Sequence, residues 1–498
     1  MPSTIGELLS AVAAAAPSRP AVTCGERTVT RAQLEAQANR LAHAYAARGV
    51  RQGDVVTVAL PNGIEFFEAC YAIWKLGATP APVSARLPER ELREVVALAD
   101  AALVVGVAAA AVPDRASVPA GFAPDAAYGD EPPPRAVSPA WKIIGSGGST
   151  GRPKLIVTTS SSELDLTPYT SVFRLSGEQV QLVPGPLYHN GPFSVGIVGP
   201  LLGQHVVVLP RFDAAAALEA IARHRVGFAF LVPTMMLRML RLLDAAPGAH
   251  DLSSIEVLWH GGGPCPPWLK ERWIELIGAG RLFEMYGGTE AQAFTMIDGV
   301  DWLAHRGSVG RPVFGEIKAV GGDGREVAPG EVGELLLRRP AGTPETYRYI
   351  GAASRTLPGG WESLGDMGAF DEQGWLFLAD RQLDMLLVGG VNVYPAEVEA
   401  AVLEHPRVLS CAVVGLPDDE LGQRVHAVVE ADGELEEEAL RAFAAERLVR
   451  YKVPRSFRFV AESLRDDAGK VRRSAVRERE LALLPLAASD SIDREGSR

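Results

Sequence analysis

The chain has 498 residues, 47% of them apolar, and a formal net charge of −12. That length allows two or three domains with packed cores, and the acidic balance leaves no basic face on which DNA or another polyanion would settle. Four cysteines, Cys24, Cys70, Cys265 and Cys411, lie far apart without C-x-x-C spacing, which argues for reduced thiols and against a zinc site or disulfide frame. No basic patch precedes the short N-terminal alanine run, so no signal peptide is expected. No apolar run approaches the roughly 20 residues that span a bilayer. The expectation is a cytoplasmic protein with no nucleic-acid partner and no membrane span.

Along the chain, residues 31–48 carry an amphipathic helical pattern, 55–60 read as a buried strand, and 62–77 as a helix closed by glycine. A helix over 88–98 and a strand over 102–106 follow, and the alanine- and proline-rich residues 107–140 read as a loose excursion. Strands are expected at 155–159, 180–184, 205–210, 228–233 and 255–259, with helices at 213–224, 234–244 and 266–277. Such alternation with continuously apolar strands predicts α/β architecture with parallel sheets. From about residue 305, short antiparallel strands are expected in GEIKAV, GELLLRR and WLFLAD. Beyond Asp380 a compact αβ pattern reads as a separate small domain: helix 395–404, strands 409–415 and 424–430, helix 434–447 and strand 457–460. The expected domains are therefore 1–379 and 380–480, followed by a frayed tail, 481–498.

The stretch GSGGSTGRPK, Gly145 to Lys154, looks made for phosphate: bare N–H groups, hydroxyls and a lysine can wrap an anion. It is not a Walker loop, because Pro153 stands where the glycine before the lysine belongs. It is not a dinucleotide fingerprint, because Thr150 stands at the third glycine. Lysine itself carries some information here. The chain has only seven lysines against 42 arginines, and arginine cannot mimic a compact, mobile ammonium. Lys154 and Lys470 both lie in glycine-containing loops.

Three further segments join that stretch in order: MYGGTE (Met285 to Glu290), SLGDMG (Ser363 to Gly368), and ADRQLDMLLVGGVNVYPAEVE (Ala379 to Glu399). DDAGKVRR, with Lys470 behind Gly469, follows near the end. Together with GVRQGDVVTVALPN, GSVGRP and GLPDDELGQ, the ordered set resembles the adenylate-forming superfamily of acyl-CoA synthetases, non-ribosomal adenylation domains and beetle luciferases. The resemblance runs from about residue 7 to 480. It implies a large N-terminal domain of parallel αβα-type subdomains with a small β-barrel-like subdomain, then a small mobile α+β C-terminal domain. It also implies a two-step ligase: a carboxylate displaces pyrophosphate from ATP, and a thiol captures the acyl-AMP. The implied cofactors are ATP, Mg2+ and coenzyme A.

Carried over residue by residue, the resemblance gives Ser146, Gly147, Gly148, Ser149, Thr150 and Gly151, with Lys154, the cradle of the departing phosphates. Donors and a cation belong where charge builds. Glu290 matches the magnesium ligand, with Thr150 nearby, and Thr289 the α-phosphate contact. Tyr286 is expected to stack on adenine, flanked by Glu284, Met285 and Gly287. The turn HGGGP, with Gly262 and Gly263, would form the opposite wall. Asp366 and Arg381 match the ribose contacts, and His189 the gate beside the acyl carboxylate. Gly389 and Gly390 match the pantetheine passage, where glycine lets the arm run close to backbone. Lys470 matches the catalytic ammonium that bridges two mutually repelling anions. In the family the lysine's domain alternates between two poses about a hinge, here at Asp380.

Some positions depart from the family pattern. Gly147 lacks the usual hydroxyl, Leu155 replaces a glycine, Leu383 replaces a lysine, and Asp466 and Asp467 crowd Lys470. These departures resemble ligases for bulky polycyclic acids, such as bile acid–CoA ligases. No acid occurs in YHNGPFSVG or VPTMMLRML to bind an α-ammonium, so an amino-acid substrate is disfavoured. Gly261 to Gly263 leave room on a pocket floor, and Met235 with Met236 suit an irregular hydrocarbon. The expected substrate is a large, mostly apolar monocarboxylic acid. The expected acceptor is coenzyme A, since only 18 residues follow Glu480. Three alternatives stay open: delivery to a separate carrier protein, a homodimeric assembly, and a catalytically idle nucleotide-binding module.

Overall fold

The computed structural model describes residues 3–125, 127–147, 153–381, 384–418, 420–466 and 469–484. The chain divides into two compact units. Met1–Leu378 form the first; Ala379–Asp466 with the segment from Lys470 onward form the second.

The first unit is built on a long mixed sheet. Strands Leu282–Gly287, Val257–His260, Phe228–Leu231, Val180–Val183, His205–Val208 and Pro20–Cys24 lie side by side and all run parallel. Phe228–Leu231 and Val257–His260 are buried at every position, which is why they read as unbroken apolar runs: both faces are covered. At Leu282–Gly287 the direction changes. Phe294–Asp298 and Ser308–Phe314 add antiparallel, and Leu376–Arg381, Trp361–Phe370, Gly333–Arg338 and Glu316–Val320 continue the same path. The antiparallel strands expected as a small barrel-like subdomain continue the path of the parallel sheet.

A second, parallel sheet orders Thr79–Pro82, Val55–Val58, Leu103–Gly106 and Ala116–Pro119. Its last strand lies within residues 107–140, which the sequence assigned to a loose excursion. ASVP is too short to show a period, and only pairing with Leu103–Gly106 makes it a strand. A third sheet is antiparallel, with Pro153–Thr158 between Ile143–Gly147 and Tyr347–Ile350. The glycine-rich stretch is therefore entered and left through paired strands.

Helix Asn190–Leu202 was not predicted. It carries Gly191, Gly196, Gly199, Pro192 and Pro200, a composition that intrinsic propensity disfavours. Tertiary packing decides instead. A Cβ on Gly191 would stand 2.9 Å from the Phe230 ring, and Phe193 is buried among Phe66, Trp74 and Trp141 with ring centroids 6.0–6.2 Å away. This aromatic cluster fixes the helix start, and with it His189.

In the second unit, Val408–Asp418 pairs antiparallel with Gly422–Ala431, which pairs parallel with Ser456–Val460. Helices Pro395–Leu403, Glu437–Ala445 and Arg473–Ala482 accompany the sheet; the last runs two residues past Glu480. The large α/β unit followed by a small α+β unit agrees with the expected fold class. Among the described residues, no helix is long and apolar enough to cross a membrane.

Candidate active site

In the first unit the predicted nucleotide residues gather where the parallel strands end and pairing turns antiparallel, a position at which open α/β sheets commonly bind ligands. Strand Val257–His260 runs into the Gly261–Gly263 turn. Gly262 has φ +82°, a left-handed conformation that favours glycine. A Cβ on Gly261 would stand 2.9 Å from the Met285 carbonyl oxygen, so this wall is bare backbone. On the neighbouring strand, the Tyr286 hydroxyl donates to Asp366 Oδ2 at 2.9 Å. The structure thus brings together Tyr286, assigned to adenine, and Asp366, assigned to ribose.

Thr289 and Glu290 occupy the turn between Leu282–Gly287 and Phe294–Asp298, not the first turn of a helix. The turn is tight: the Ala291 N–H donates to the Gly288 carbonyl at 3.1 Å, and Ala291 itself sits at φ +54°, where a side chain is uncommon. The Glu290 carboxylate is buried. Its Oε1 accepts from the Tyr349 hydroxyl at 2.5 Å and lies 3.6 Å from Lys154 Nζ. That ammonium stands 4.2 Å over the Tyr349 ring, and Thr346 Oγ1 donates to the Glu290 carbonyl at 2.7 Å. Beside this group, buried Glu362 accepts from Tyr347 Oη at 2.5 Å and from Gln292 Nε2 at 2.8 Å. Sequence reading missed Thr346, Tyr347 and Tyr349. The available signal was the Tyr-x-Tyr spacing, which puts both rings on one face of a strand.

Gly148, Ser149, Thr150 and Gly151 lie outside the described residues, as do Leu383 and Asp467. Ser146 and Gly147 lie at the end of strand Ile143–Gly147, facing Lys154 and Pro153 in register. Glu284 is placed differently from its expected nucleotide role. Its carboxylate is buried against Lys270 Nζ at 2.6 Å, where desolvation pushes its pKa up against the pull of that lysine. Met285 packs partly buried beside Trp259 and Phe283. Met236 is fully buried, its carbonyl accepting from Trp273 Nε1 at 3.2 Å, so it belongs to the core.

His189 is the N-cap residue of helix Asn190–Leu202, and its ring lies 4.5 Å from that of Tyr188. Directly behind the helix start sits a lysine that sequence reading passed over. Lys142 is buried, donates to Asn190 Oδ1 and to Ser194 Oγ (2.6 Å), and stands 4.2 Å over the Trp141 ring. Burial lowers its pKa to about 7. Lys142 ties the strand that enters the glycine-rich stretch to the helix that bears His189.

In the second unit, Gly389 and Gly390 form the tip of the hairpin Leu386–Val388/Val391–Val393, with φ +57° and +82°. Both central positions of such a turn require the left-handed region. Lys470 is exposed, and its backbone N–H donates to Asp466 Oδ1 at 2.9 Å. Asp466 therefore braces the lysine's loop through the main chain. Arg381 ends strand Leu376–Arg381.

The donor set fits a metal-bound nucleotide. A buried carboxylate with a lysine beside it, a second carboxylate bridged to an aromatic ring, and a bare glycine wall stand together. Among the described residues no group of three or more His, Cys, Asp or Glu side chains could hold a metal alone, and magnesium prefers few carboxylates plus phosphate oxygens.

Comparison with known proteins shows the family. Residues 9–347 match the AMP-binding enzyme family, and residues 397–470 match the AMP-binding enzyme C-terminal domain. A feruloyl-CoA synthase from Amycolatopsis sp is 34% identical over 481 residues, covering 93% of this chain and 96% of that protein. Among solved structures, the o-succinylbenzoate CoA synthetase of Bacillus subtilis in complex with its acyl-adenylate intermediate superposes with TM-score 0.78 at 26% identity, covering 94% of this chain and 97% of the other. The amide bond synthetase McbA of Marinactinospora thermotolerans does so with TM-score 0.77 at 28% identity, covering 96% and 100%. The chain belongs to the AMP-binding enzyme family, within the adenylate-forming superfamily, and is a ligase.

Proposed function

We propose that the protein is an ATP-dependent acid–CoA ligase that activates a large, mostly apolar carboxylic acid. The observation that carries the reading is the pairing of Tyr286 with Asp366 and of Glu290 with Lys154 at the C-terminal end of strand Leu282–Gly287, in a chain matched by both segments of the family. When bound, ATP with magnesium supplies the electrophilic phosphate and coenzyme A the thiol. The chain's own residues bind and orient. Asp366 offers its carboxylate to ribose hydroxyls, and Tyr286 offers its ring to the base. Lys154 places a cation where phosphate charge builds, Glu290 presents a carboxylate toward the metal, and Thr289 donates to phosphate. Lys470 supplies the second cation, which lets carboxylate and phosphate oxygens meet. His189 borders the acyl group, and Arg381 and the Gly389–Gly390 tip serve the sugar and the thiol arm. The Gly261–Gly263 turn and the lack of an acid in YHNGPFSVG support a bulky apolar acid over an amino acid.

The test is acid-dependent ATP–pyrophosphate exchange over a panel of aryl, fatty, steroid and terpenoid acids, followed by CoA-dependent AMP release and thioester formation. A clear preference for acetate or an amino acid overturns the substrate class. Release of acyl-AMP only to an amine or a carrier protein, with CoA inert, overturns the acceptor. No exchange with any acid overturns the reading as a whole.

A further inference from the structure

Strand Tyr347–Ile350 belongs to none of the motifs that carry the resemblance, yet it places one side chain against two motif residues of opposite charge. The strand pairs antiparallel with Pro153–Thr158, Ile350 opposite Leu155 and Tyr349 opposite Ile156. This register lays the Tyr349 ring under the ammonium of Lys154, 4.2 Å from Nζ to the centroid. The same side chain directs its hydroxyl to Glu290 Oε1 at 2.5 Å. A second hydroxyl from this segment, Thr346 Oγ1, holds the main-chain carbonyl of Glu290 at 2.7 Å.

We propose that Tyr349 is a positioning residue for metal–nucleotide binding: it fixes the Glu290 carboxylate by engaging Oε1, so that Oε2 is the oxygen turned toward the metal. The inference rests on the reading of Glu290 as the metal-facing carboxylate. Two features support it. A buried carboxylate on a tight turn has two oxygens and freedom about its last torsion, which a hydrogen bond to one oxygen removes. On the other side, Oε2 lies against bare Gly288, where a Cβ would stand 2.7 Å from it and 2.6 Å from Leu364 Cδ1. Residues that orient a metal-facing carboxylate through hydrogen bonds typically contribute 10- to 100-fold to metal affinity.

The test compares two affinities in the full chain: Mn2+ binding in the presence of ATP, followed by electron paramagnetic resonance, and AMP binding in EDTA, followed by calorimetry. Tyr349→Phe keeps the ring under Lys154 and against Tyr347, 4.8 Å away, and removes only the hydroxyl. The expected result is Mn2+ affinity about tenfold weaker or more, with AMP affinity unchanged. Equal losses in both would mark a general structural role and overturn the proposal. Mn2+ affinity within twofold of the parent would overturn it as well. Glu290→Gln separates this from the reading beneath it. If Glu290→Gln weakens Mn2+ binding and Tyr349→Phe does not, the carboxylate assignment stands and the positioning role falls. If Glu290→Gln has no effect, both fall.

Discussion

The hydroxyl of Tyr286 and the carboxylate of Asp366, 80 positions apart in the chain, meet across 2.9 Å. The contact joins the last parallel strand to the antiparallel strands that follow it, and it presets the wall on which a nucleoside would lie. Asp366→Asn removes the charge that hydroxyls of a ribose would find. A hydrogen bond to a charged group contributes about 1.5–3 kcal/mol, so AMP affinity should fall about 10- to 100-fold. Tyr286→Phe keeps the ring and removes one neutral donor, and should lose about fivefold. Calorimetric AMP titration of both variants checks the order; a larger loss for the phenylalanine variant would contradict these roles.

Lys470→Ala should lower acid-dependent ATP–pyrophosphate exchange by about 100-fold or more, the usual effect of deleting a preorganised group that faces developing charge. Thioester formation from chemically prepared acyl-AMP should persist, because that step no longer brings two anions together. Asp466→Asn retains an acceptor for the Lys470 N–H and should leave exchange within about threefold. A collapse there would mean that Asp466 acts on the ammonium and not through the loop.

Glu284 and Lys270 form a buried ion pair at 2.6 Å behind the nucleotide wall. Breaking such a pair from one side leaves a charge without its partner and costs about 3–5 kcal/mol. Lys270→Met should therefore lower the urea midpoint strongly. The double variant Lys270→Met with Glu284→Met should recover most of the loss, since an apolar pair of similar volume is often neutral. Urea denaturation of the three proteins checks this. If instead Glu284→Gln raises the ATP KM with stability intact, the residue touches nucleotide after all.

Long periodic elements were legible in the sequence because burial writes itself directly into the spacing of apolar side chains. Arg31–Ala47, Phe228–Leu231 and Gly422–Ala431 fall within a few residues of the readings for them. Helix Asn190–Leu202 was illegible because its glycines exist for close approach to Phe230 and Leu187, a reason that lies in other segments. Motif residues on one strand end or one turn, such as Tyr286 and Glu290, were legible as chemistry. Their supports, Tyr349 and Lys142, were not, because each acts through a partner far away in the chain. Glu284 shows the converse: its place beside Met285 and Tyr286 suggested the ligand, but its carboxylate is buried against Lys270, a partner from another segment that strand spacing does not reveal. The scarcity of lysine pointed to Lys154 and Lys470. In the structure it also marks Lys75, Lys142 and Lys270, each buried with a specific acceptor.

Lys142 offers a pH signature free of any assumption about substrate. Its pKa is lowered to about 7 in the folded chain from the ordinary lysine value of 10.5, and the cause is burial. Its acceptors, Asn190 Oδ1 and Ser194 Oγ, belong to the first turns of a helix, where the positive end of the helix dipole further disfavours a cation. Between about pH 7 and 10.5 the unfolded chain holds this proton and the folded chain does not, so rising pH stabilises the fold across that window. The gain is absent below pH 7 and complete above 10.5. Lys142→Met removes the titration while keeping the side chain's length. The difference in Tm between variant and parent should therefore change with pH in one direction: the variant fares relatively best at pH 7 and loses ground steadily toward pH 10. The span is on the order of a few kcal/mol for a fully buried amine. A difference that stays flat from pH 7 to 10 would show that Lys142 keeps an ordinary amine pKa inside the protein.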